Sequence, residues 1–300
     1  MASQPDAPGG ARGVIHDIGY RPYTGPRLGT GAIGRSLFLT GLLNAFGIGR
    51  SGKAKIFPVL LVAVMLIPAV IMVSIMVFVG LGAGFLDYAA YPLQLSVVLA
   101  VFVAAQAPVL FSRDLRSGAI VLYLARPLSA TGFAMTRWLS LFVAILAFIT
   151  IPVLTLYVGA LASEADISDH TTDFLVAWLG IVLLSALLAT LAGLVSAFTT
   201  RRGLAVGATI VVLLVSLGMS TAIQEIARSS GNDTVAELAG LLSPFTMVDG
   251  VTHSLLDGTS VYPAAPDDVG VGLLYLVAAL ACIAGGCWLL IRRYRKEAAK

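Results

Sequence analysis

Six apolar runs decide what this chain can fold into. They cover about residues 56–80, 91–111, 138–161, 174–198, 204–224 and 270–291, and none holds Lys or Arg in its core. Each is close to the roughly 20 residues that an α-helix needs to cross a bilayer. Inside a bilayer no water satisfies backbone N–H and C=O groups, so only helices and closed barrels span it. Barrel strands are short and alternate in polarity, whereas these runs are long and continuously apolar. The composition agrees, with 58% hydrophobic and 12% charged residues, against about half and a quarter in soluble domains. The sequence predicts an all-α integral membrane protein with six transmembrane helices.

The charges then set the orientation. With the N-terminus inside, the inner segments carry Arg12, Arg21, Arg27, Arg35, Arg50, Lys53 and Lys55, then Arg113, Arg116, Arg126 and Arg137, then Arg201 and Arg202, then Arg292, Arg293, Arg295, Lys296 and Lys300. Arg228 alone of the nineteen basic residues falls outside. Most acids lie in the outer loops: Asp87, then Glu164, Asp166, Asp169 and Asp173, then the stretch up to Asp268. This positive-inside pattern predicts a multi-pass protein of the cell membrane with both termini cytoplasmic. The polar, Pro- and Gly-rich start is followed by an apolar run only near residue 56, too late and too long for a signal peptide.

Two segments read as neither span nor plain loop. Residues 31–50 bring Leu37, Phe38, Leu42, Phe46 and Ile48 near one face at helical spacing, with Arg35 and Arg50 available to headgroups. This predicts an amphipathic helix in the cytoplasmic interface. The loop 225–269 is long and partly apolar, and "TVAELAGLLSPF" and "VDGVTHSLL" predict short helices at the outer leaflet, broken at Pro244 and Gly250.

Motifs for chemistry are few. "GIGRSGK", Gly47 to Lys53, has the glycine and lysine spacing of a P-loop. A true P-loop follows a strand and places Ser or Thr after the lysine to hold magnesium. Here Ala54 follows, and a span begins at once; the stretch reads as a basic turn into the bilayer. His16, His170 and His253 are far apart, and Cys282 and Cys287 point in different directions on one helix, so no metal site or disulfide is expected. No titratable group sits at the centre of a span, which disfavours ion-driven transport. Gln106 is the most polar residue of the second run; it either lines a substrate path or bonds a neighbouring helix. The acids around His170 have the irregular spacing of a solvated loop, and "NDT" at Asn232 fits a glycosylation sequon.

The remaining feature is "SRDLRSGAIVLYLARPLS", Ser112 to Ser129, placed inside between spans two and three. Ser112 or Asp114 can cap a short helix, Ile120, Val121 and Leu124 share one side, and Pro127 ends it before Ser129 or Thr131 starts the next. A short amphipathic helix joined stiffly to two spans suits docking to a cytoplasmic partner.

These features together resemble the membrane subunits of ABC-2 type ABC transporters, over most of the chain. Asp114, "Ser117-Gly118-Ala119" and "Arg126-Pro127-Leu128-Ser129" stand where the family shows an acidic residue, a "-xGT-" step and a "-(R/T)P(L/I/V)S-" ending. Asp replaces the commoner Glu, and Ala119 the commoner Thr. "LLSPFTMVDGV" is similar to the family's outer segment, and "IHDIGYRPYTGPRLG" to the N-termini of such permeases from high-GC Gram-positive bacteria. The resemblance implies a cytoplasmic tail over 1–30 and an ABC-2 type transmembrane domain over 31–300. It implies a non-catalytic exporter subunit with an interfacial helix and a coupling helix that seats in a separate ATPase. Arg113, Asp114, Arg116, Gly118, Tyr123, Arg126 and Pro127 are the implied coupling residues. The implied partners are two ATPase subunits, which carry ATP and Mg, a second permease chain, identical or related, and membrane lipid. No cofactor of this chain's own and no nucleic acid is expected. The reading from another class is a six-span membrane enzyme or scaffold without a transport role.

Overall fold

The computed structural model describes Gly25 and residues 29–80, 86–116, 128–163, 167–199 and 201–298, without the side chains of Asp114 and Arg116. Among the described residues the chain is entirely helical. The helices are α1 (Thr30–Ala45), α2 (Gly52–Val79), α3 (Ala90–Gln94), α4 (Ser96–Leu110), α5 (Ser112–Arg116), α6 (Ala130–Ala162), α7 (Ile167–Phe198), α8 (Arg202–Ser229), α9 (Asp233–Ala239), α10 (Pro244–Leu256) and α11 (Val269–Ala298), with one 3₁₀ turn (Gly240–Leu242). Five of them, α2, α6, α7, α8 and α11, are long and apolar enough to cross a membrane. The protein is thus a multi-pass, all-α membrane protein in its length and composition.

Burial sorts these helices into a centre and a rim. The most apolar stretches of α6 and α7 are each 50% buried, while those of α2, α8 and α11 are only 22%, 17% and 22% buried. An apolar helix that leaves most of its surface exposed is unsuited to water and suited to hydrocarbon. Phe78, Leu204 and Val277 lie on that outer surface. Where helices meet, glycine lets backbones approach closely. A Cβ on Gly41 of α1 would stand 2.6 Å from Ser140 Oγ of α6. Gly159 of α6 faces Val73 of α2, and Gly286 of α11 faces Thr190 of α7, each too closely for any Cβ.

The second apolar run departs from the continuous helix predicted over 91–111. It splits into α3 and α4 at Leu95, and α4 alone has 15 residues, 11 of them buried. At about 1.5 Å per residue, α4 is shorter than the ~30 Å hydrocarbon core. The break is met from outside the helix. The Tyr262 hydroxyl donates to the Leu93 carbonyl at 3.4 Å, beside the backbone N–H that the same carbonyl accepts at the Leu95 cap. Asp87 starts the segment, its Oδ1 accepting from the N–H groups of Ala89 and Ala90 at 3.0 and 2.8 Å.

Thr30–Ala45 form a helix followed by a turn to residue 50, and Leu37, Leu42 and Phe46 of the predicted apolar face pack on the bundle. Leu37, Gly41, Asn44 and Ala45 are buried, packed on α6 and α4, while Leu39, Leu43 and Ile48 are exposed. The contact with the bundle combines these small residues with Leu37, Leu42 and Phe46, whose ring lies 5.9 Å from that of Phe102. In the 225–269 stretch, Pro244 opens α10 at its first turn, where its missing N–H costs nothing. Gly250 does not break the chain. It lies inside α10 because the Tyr275 ring of α11 passes there, 2.6 Å from where a Cβ would stand.

Candidate functional site

Charged side chains gather at the two ends of the bundle. At one end lie Arg50, Lys53, Lys55, Arg113, Arg201, Arg202, Arg292, Arg293, Arg295 and Lys296, with Glu297. At the other lie Asp87, Asp169, Asp173, Asp233, Glu237, Asp249, Asp257 and Asp267, with Arg228. The sequence-predicted coupling stretch belongs to the basic end, and its attachments there are specific.

Its entry is fastened at α5. The Ser112 hydroxyl donates to the carbonyls of Ser196 and Thr199 at 2.6 and 3.2 Å, at the end of α7. One residue earlier, the Phe111 carbonyl accepts from the Tyr294 hydroxyl of α11 at 3.3 Å. Its exit is fastened at α6. Ser129 Oγ caps that helix, accepting from the Gly132 N–H at 3.0 Å. The Arg295 guanidinium donates to Thr131 Oγ1 at 3.1 and 3.3 Å. Arg293 Nε also reaches the Ala197 carbonyl at 3.3 Å while its Nη1 pairs with Glu297 at 2.6 Å. The last turns of α7 and α11 therefore hold both ends of the stretch.

Of the predicted coupling residues, Arg113 is exposed beside this anchor, where it lines a small cavity with Arg50 and Arg202. Asp114 and Arg116 are placed on α5 by their backbone. Gly118, Tyr123, Arg126 and Pro127 lie outside the described residues. Gln106 is 3% exposed inside α4 and lines neither of the two large cavities described below. The Gly47–Lys53 stretch links α1 to α2, with no strand before it. Gly47 has φ +74°, and a Cβ there would stand 2.5 Å from the Ala54 carbonyl oxygen, so the turn requires glycine.

The acidic end holds residues that sequence reasoning missed. Asp249, expected on a short helix at the outer leaflet, is 1% exposed within α10. Its carboxylate accepts from Ser260 Oγ at 2.7 Å and from the Val261 and Tyr262 N–H groups at 3.0 and 3.4 Å. Burial pushes its proton affinity up, opposed by those three donors and by His253. The signal was its setting, between Phe245 and Val248 on one side and Val251 on the other. At the basic end, Arg137, expected at an inner surface, is 2% exposed and stacks on Phe133 at 5.3 Å. It is buried because α6 begins at Ala130, eight residues before the predicted start of span three. Ser129 as cap was the signal.

Two cavities adjoin the acidic end. One, of about 430 Å³, is an apolar groove between α6, α7, α10 and α11, lined by Trp138, Phe142, Leu183, Val251, Leu276 and Ile283 among others. The other, of about 600 Å³, is polar, lined by Asp87, Tyr88, Thr172, Asp173, Asp257 and Thr259 among others. Burial first, then the Asp173 charge, pushes the Tyr88 hydroxyl up to about 12, so it stays protonated and meets His170 Nδ1 at 3.0 Å. No protein-family model matches the chain, and no curated protein matches it.

Proposed function

We propose that this chain is the membrane-spanning permease subunit of an ATP-driven ABC exporter of the ABC-2 type. It moves a substrate out of the cytoplasm or inner leaflet with energy from a separate ATPase. In this reading α3 and α4 together make the second of six crossings, the basic end faces the cytoplasm, and both termini lie there. The membrane is the cell membrane. Residues 112–129 form the coupling element, and a second permease chain completes the pathway.

The observation that carries this reading is the double fastening of the charged stretch. A loop kept only for orientation needs no attachment beyond its own helices. Here Ser112 is bonded to the end of α7, and Thr131, just past the exit, to α11. A force applied to the stretch by an ATPase passes directly into α4, α6, α7 and α11. Such a force shifts the bundle between conformations only through groups that differ between them, and these helix ends are suitable groups.

The test is co-purification with the ATPase. Gly118→Trp and Asp114→Lys are expected to insert normally, since neither lies in a crossing, and to lose most of the bound ATPase. Reversing a complementary charge at such a contact weakens it by up to a few kcal/mol. Lys53→Ala is expected to leave ATP hydrolysis intact, because the nucleotide belongs to the partner. If both coupling variants keep the partner and hydrolyse ATP like the parent, the assignment fails.

A further inference from the structure

The apolar groove and the polar cavity meet along α7. Leu256, at the end of α10, lines both. On α7, Thr172 and Val176 line the cavity, while Leu179, Leu183 and Ala186 line the groove. These five positions advance by steps of four or three residues, so they share one face of the helix. A single stripe of α7 therefore runs from polar space at the acidic end into apolar space within the bundle.

The groove suits an apolar chain. Its volume of about 430 Å³ lies within the ~300–1,000 Å³ of small-molecule sites. Among the described residues, Trp138 and Thr252 are its polar side chains, and both are already bonded. The indole N–H donates to Thr190 Oγ1 at 2.9 Å, and the Thr252 hydroxyl donates to the Val248 and Asp249 carbonyls at 3.1 and 2.9 Å. An apolar cavity without free polar groups stays dry and accepts an apolar ligand. Trp138 and Phe142 stack with their ring planes 2° apart, so this wall is formed before anything binds. The groove opens sideways, since Leu179 and Leu280 on its rim are each 52% exposed. Between Val176 and Ala186 the helix rises ~15 Å, half of the ~30 Å hydrocarbon core. The groove thus has the length of the chains of one leaflet.

The cavity selects the head group. Asp87, Asp173 and Asp257 line it with Thr172 and Thr259, and no basic side chain does so among the described residues. The Asp87 carboxylate is engaged by the Ala89 and Ala90 N–H groups and the Thr259 hydroxyl. Asp173 and Asp257 are exposed and form no ion pair among the described residues. An anionic head meets like charge in this cavity, and a cationic head meets opposite charge; sign matching of this kind discriminates between ligands.

We propose that the groove and the cavity form one binding site for an amphiphile with a single apolar chain and an amine or quaternary ammonium head. The chain lies along α7, between α6, α10 and α11, and the head lies beside Asp173 and Asp257. One chain supplies every wall, so the site needs neither an ATPase nor a second permease chain.

The experiment uses the full chain in phosphatidylcholine nanodiscs, with Trp138 as the reporter. Trp178→Phe/Trp288→Phe leaves Trp138 as the single tryptophan. Trp138→Phe/Trp178→Phe leaves Trp288, 58% exposed, as a reference for probe dissolved in the bilayer. Two probes carry bromine, a fluorescence quencher, at the end of the same alkyl chain; one has a trimethylammonium head and the other a carboxylate. The ammonium probe is expected to quench Trp138 saturably, at a mole fraction about fivefold below that of the carboxylate probe. Its quenching of Trp288 is expected to rise in simple proportion to the amount added. Asp173→Asn/Asp257→Asn is expected to remove the ammonium preference and leave the thermal midpoint unchanged, because both positions are exposed and Asn tolerates the left-handed backbone at 257, φ 53°. Ala186→Phe, which fills the groove, is expected to abolish saturable quenching of Trp138. Equal affinities for the two probes, or a preference that survives the Asn pair, overturn the cationic head. Saturable quenching that survives Ala186→Phe overturns the groove. If neither probe quenches Trp138 saturably, the site is overturned, and crosslinking of two chains through Leu179→Cys, with Cys282 and Cys287 replaced by Ser, then assigns the groove to an interface between copies.

Discussion

At the acidic end, the Asp249 carboxylate accepts three hydrogen bonds from residues 260–262, His253 bridges Gly258 and Asp267, and Thr259 donates to Asp87. At the basic end, Arg50, Arg113 and Arg202 line one cavity with no acid in its lining among the described residues, and hydrogen bonds from Ser112, Tyr294, Arg293 and Arg295 hold neighbouring helix ends. One end ties a buried acid to the chain around it. The other brings arginines from three segments to one crevice. Both ends flank the same apolar helices, so the difference is not imposed by solvent. Self-satisfied polar networks fix a structure, while concentrated like charge weakens it and attracts partners. The acidic end is held by its own hydrogen bonds, and the basic end concentrates like charge.

The sharpest way to break this contrast is to remove Asp249. Asp249→Ala leaves the half-buried Val261 and Tyr262 N–H groups without their acceptor and opens a void in a buried place, while the exposed Ser260 keeps the Tyr262 carbonyl. The expected loss is about 2–4 kcal/mol, seen as a lowered thermal unfolding midpoint of the purified chain. Asp249→Asn keeps an acceptor oxygen and is expected to lose less. If Asp249→Ala unfolds like the parent, the acidic end does not stabilise the fold as argued.

A smaller effect is expected where α1 rests on the bundle. Gly41→Leu drives side-chain atoms into Ser140 and toward Leu110, which lies 3.1 Å from a Cβ at that position. Overpacking of this kind costs roughly 1–3 kcal/mol. Because α1 is peripheral, the strain is expected to release locally, with faster hydrogen exchange in α1 and little change in α7. Uniform acceleration through all helices would show that α1 belongs to the core.

Much of this architecture was legible in the sequence, and the exceptions share a cause. Apolar length marked the five long helices, because the bilayer requirement acts on each segment alone. The charge bias marked the two ends for the same reason. The split at Leu95 was hidden because its compensating group, Tyr262, comes from a distant loop. Gly250 read as a breaker because local propensity cannot register the Tyr275 ring pressed against it. The burial of Asp249 was not legible because its donors at 260–262 are brought round only by the folded turn. Four of the seven predicted coupling residues fall outside the described residues, so the structure bears on that site through its anchors, Ser112 and Ser129.

Those anchors give the next test. Ser112→Ala removes the donor to Ser196 and Thr199 from a buried position. A neutral hydrogen bond contributes about 1 kcal/mol, so only a slight fall in thermal midpoint is expected. Under the proposed permease reading, the consequence in a complex with the ATPase is expected to be larger for coupling than for stability, with more ATP hydrolysed per substrate moved. An unchanged ratio would mean that the fastening is structural only, and would soften the distinction between the two ends.

The smallest expected effect concerns pH at the acidic end. His253 faces the Gly258 carbonyl with Nδ1 at 2.8 Å and Asp267 Oδ1 with Nε2 at 2.9 Å. Both partners accept, so both ring nitrogens donate only when the imidazole is protonated. The proton affinity of His253 is accordingly raised, by the Asp267 and Gly258 hydrogen bonds, against a contribution from burial that lowers it, with the Asp267 and Asp249 charges adding to the rise. A group whose affinity is higher in the folded state stabilises the fold at low pH. The contribution is complete below the ordinary value of 6.5 and disappears as pH rises through the folded value. Asp267 is 96% exposed, so water and salt screen much of its attraction. Asp267→Ala is therefore expected to lower the unfolding midpoint slightly at low ionic strength and acid pH, with the gap closing above neutrality. Asp249 still acts on the ring in that variant, so the gap is smaller than His253→Ala would give. A gap that instead widened as pH rose would show His253 neutral in the fold, with its two acceptors held by other means.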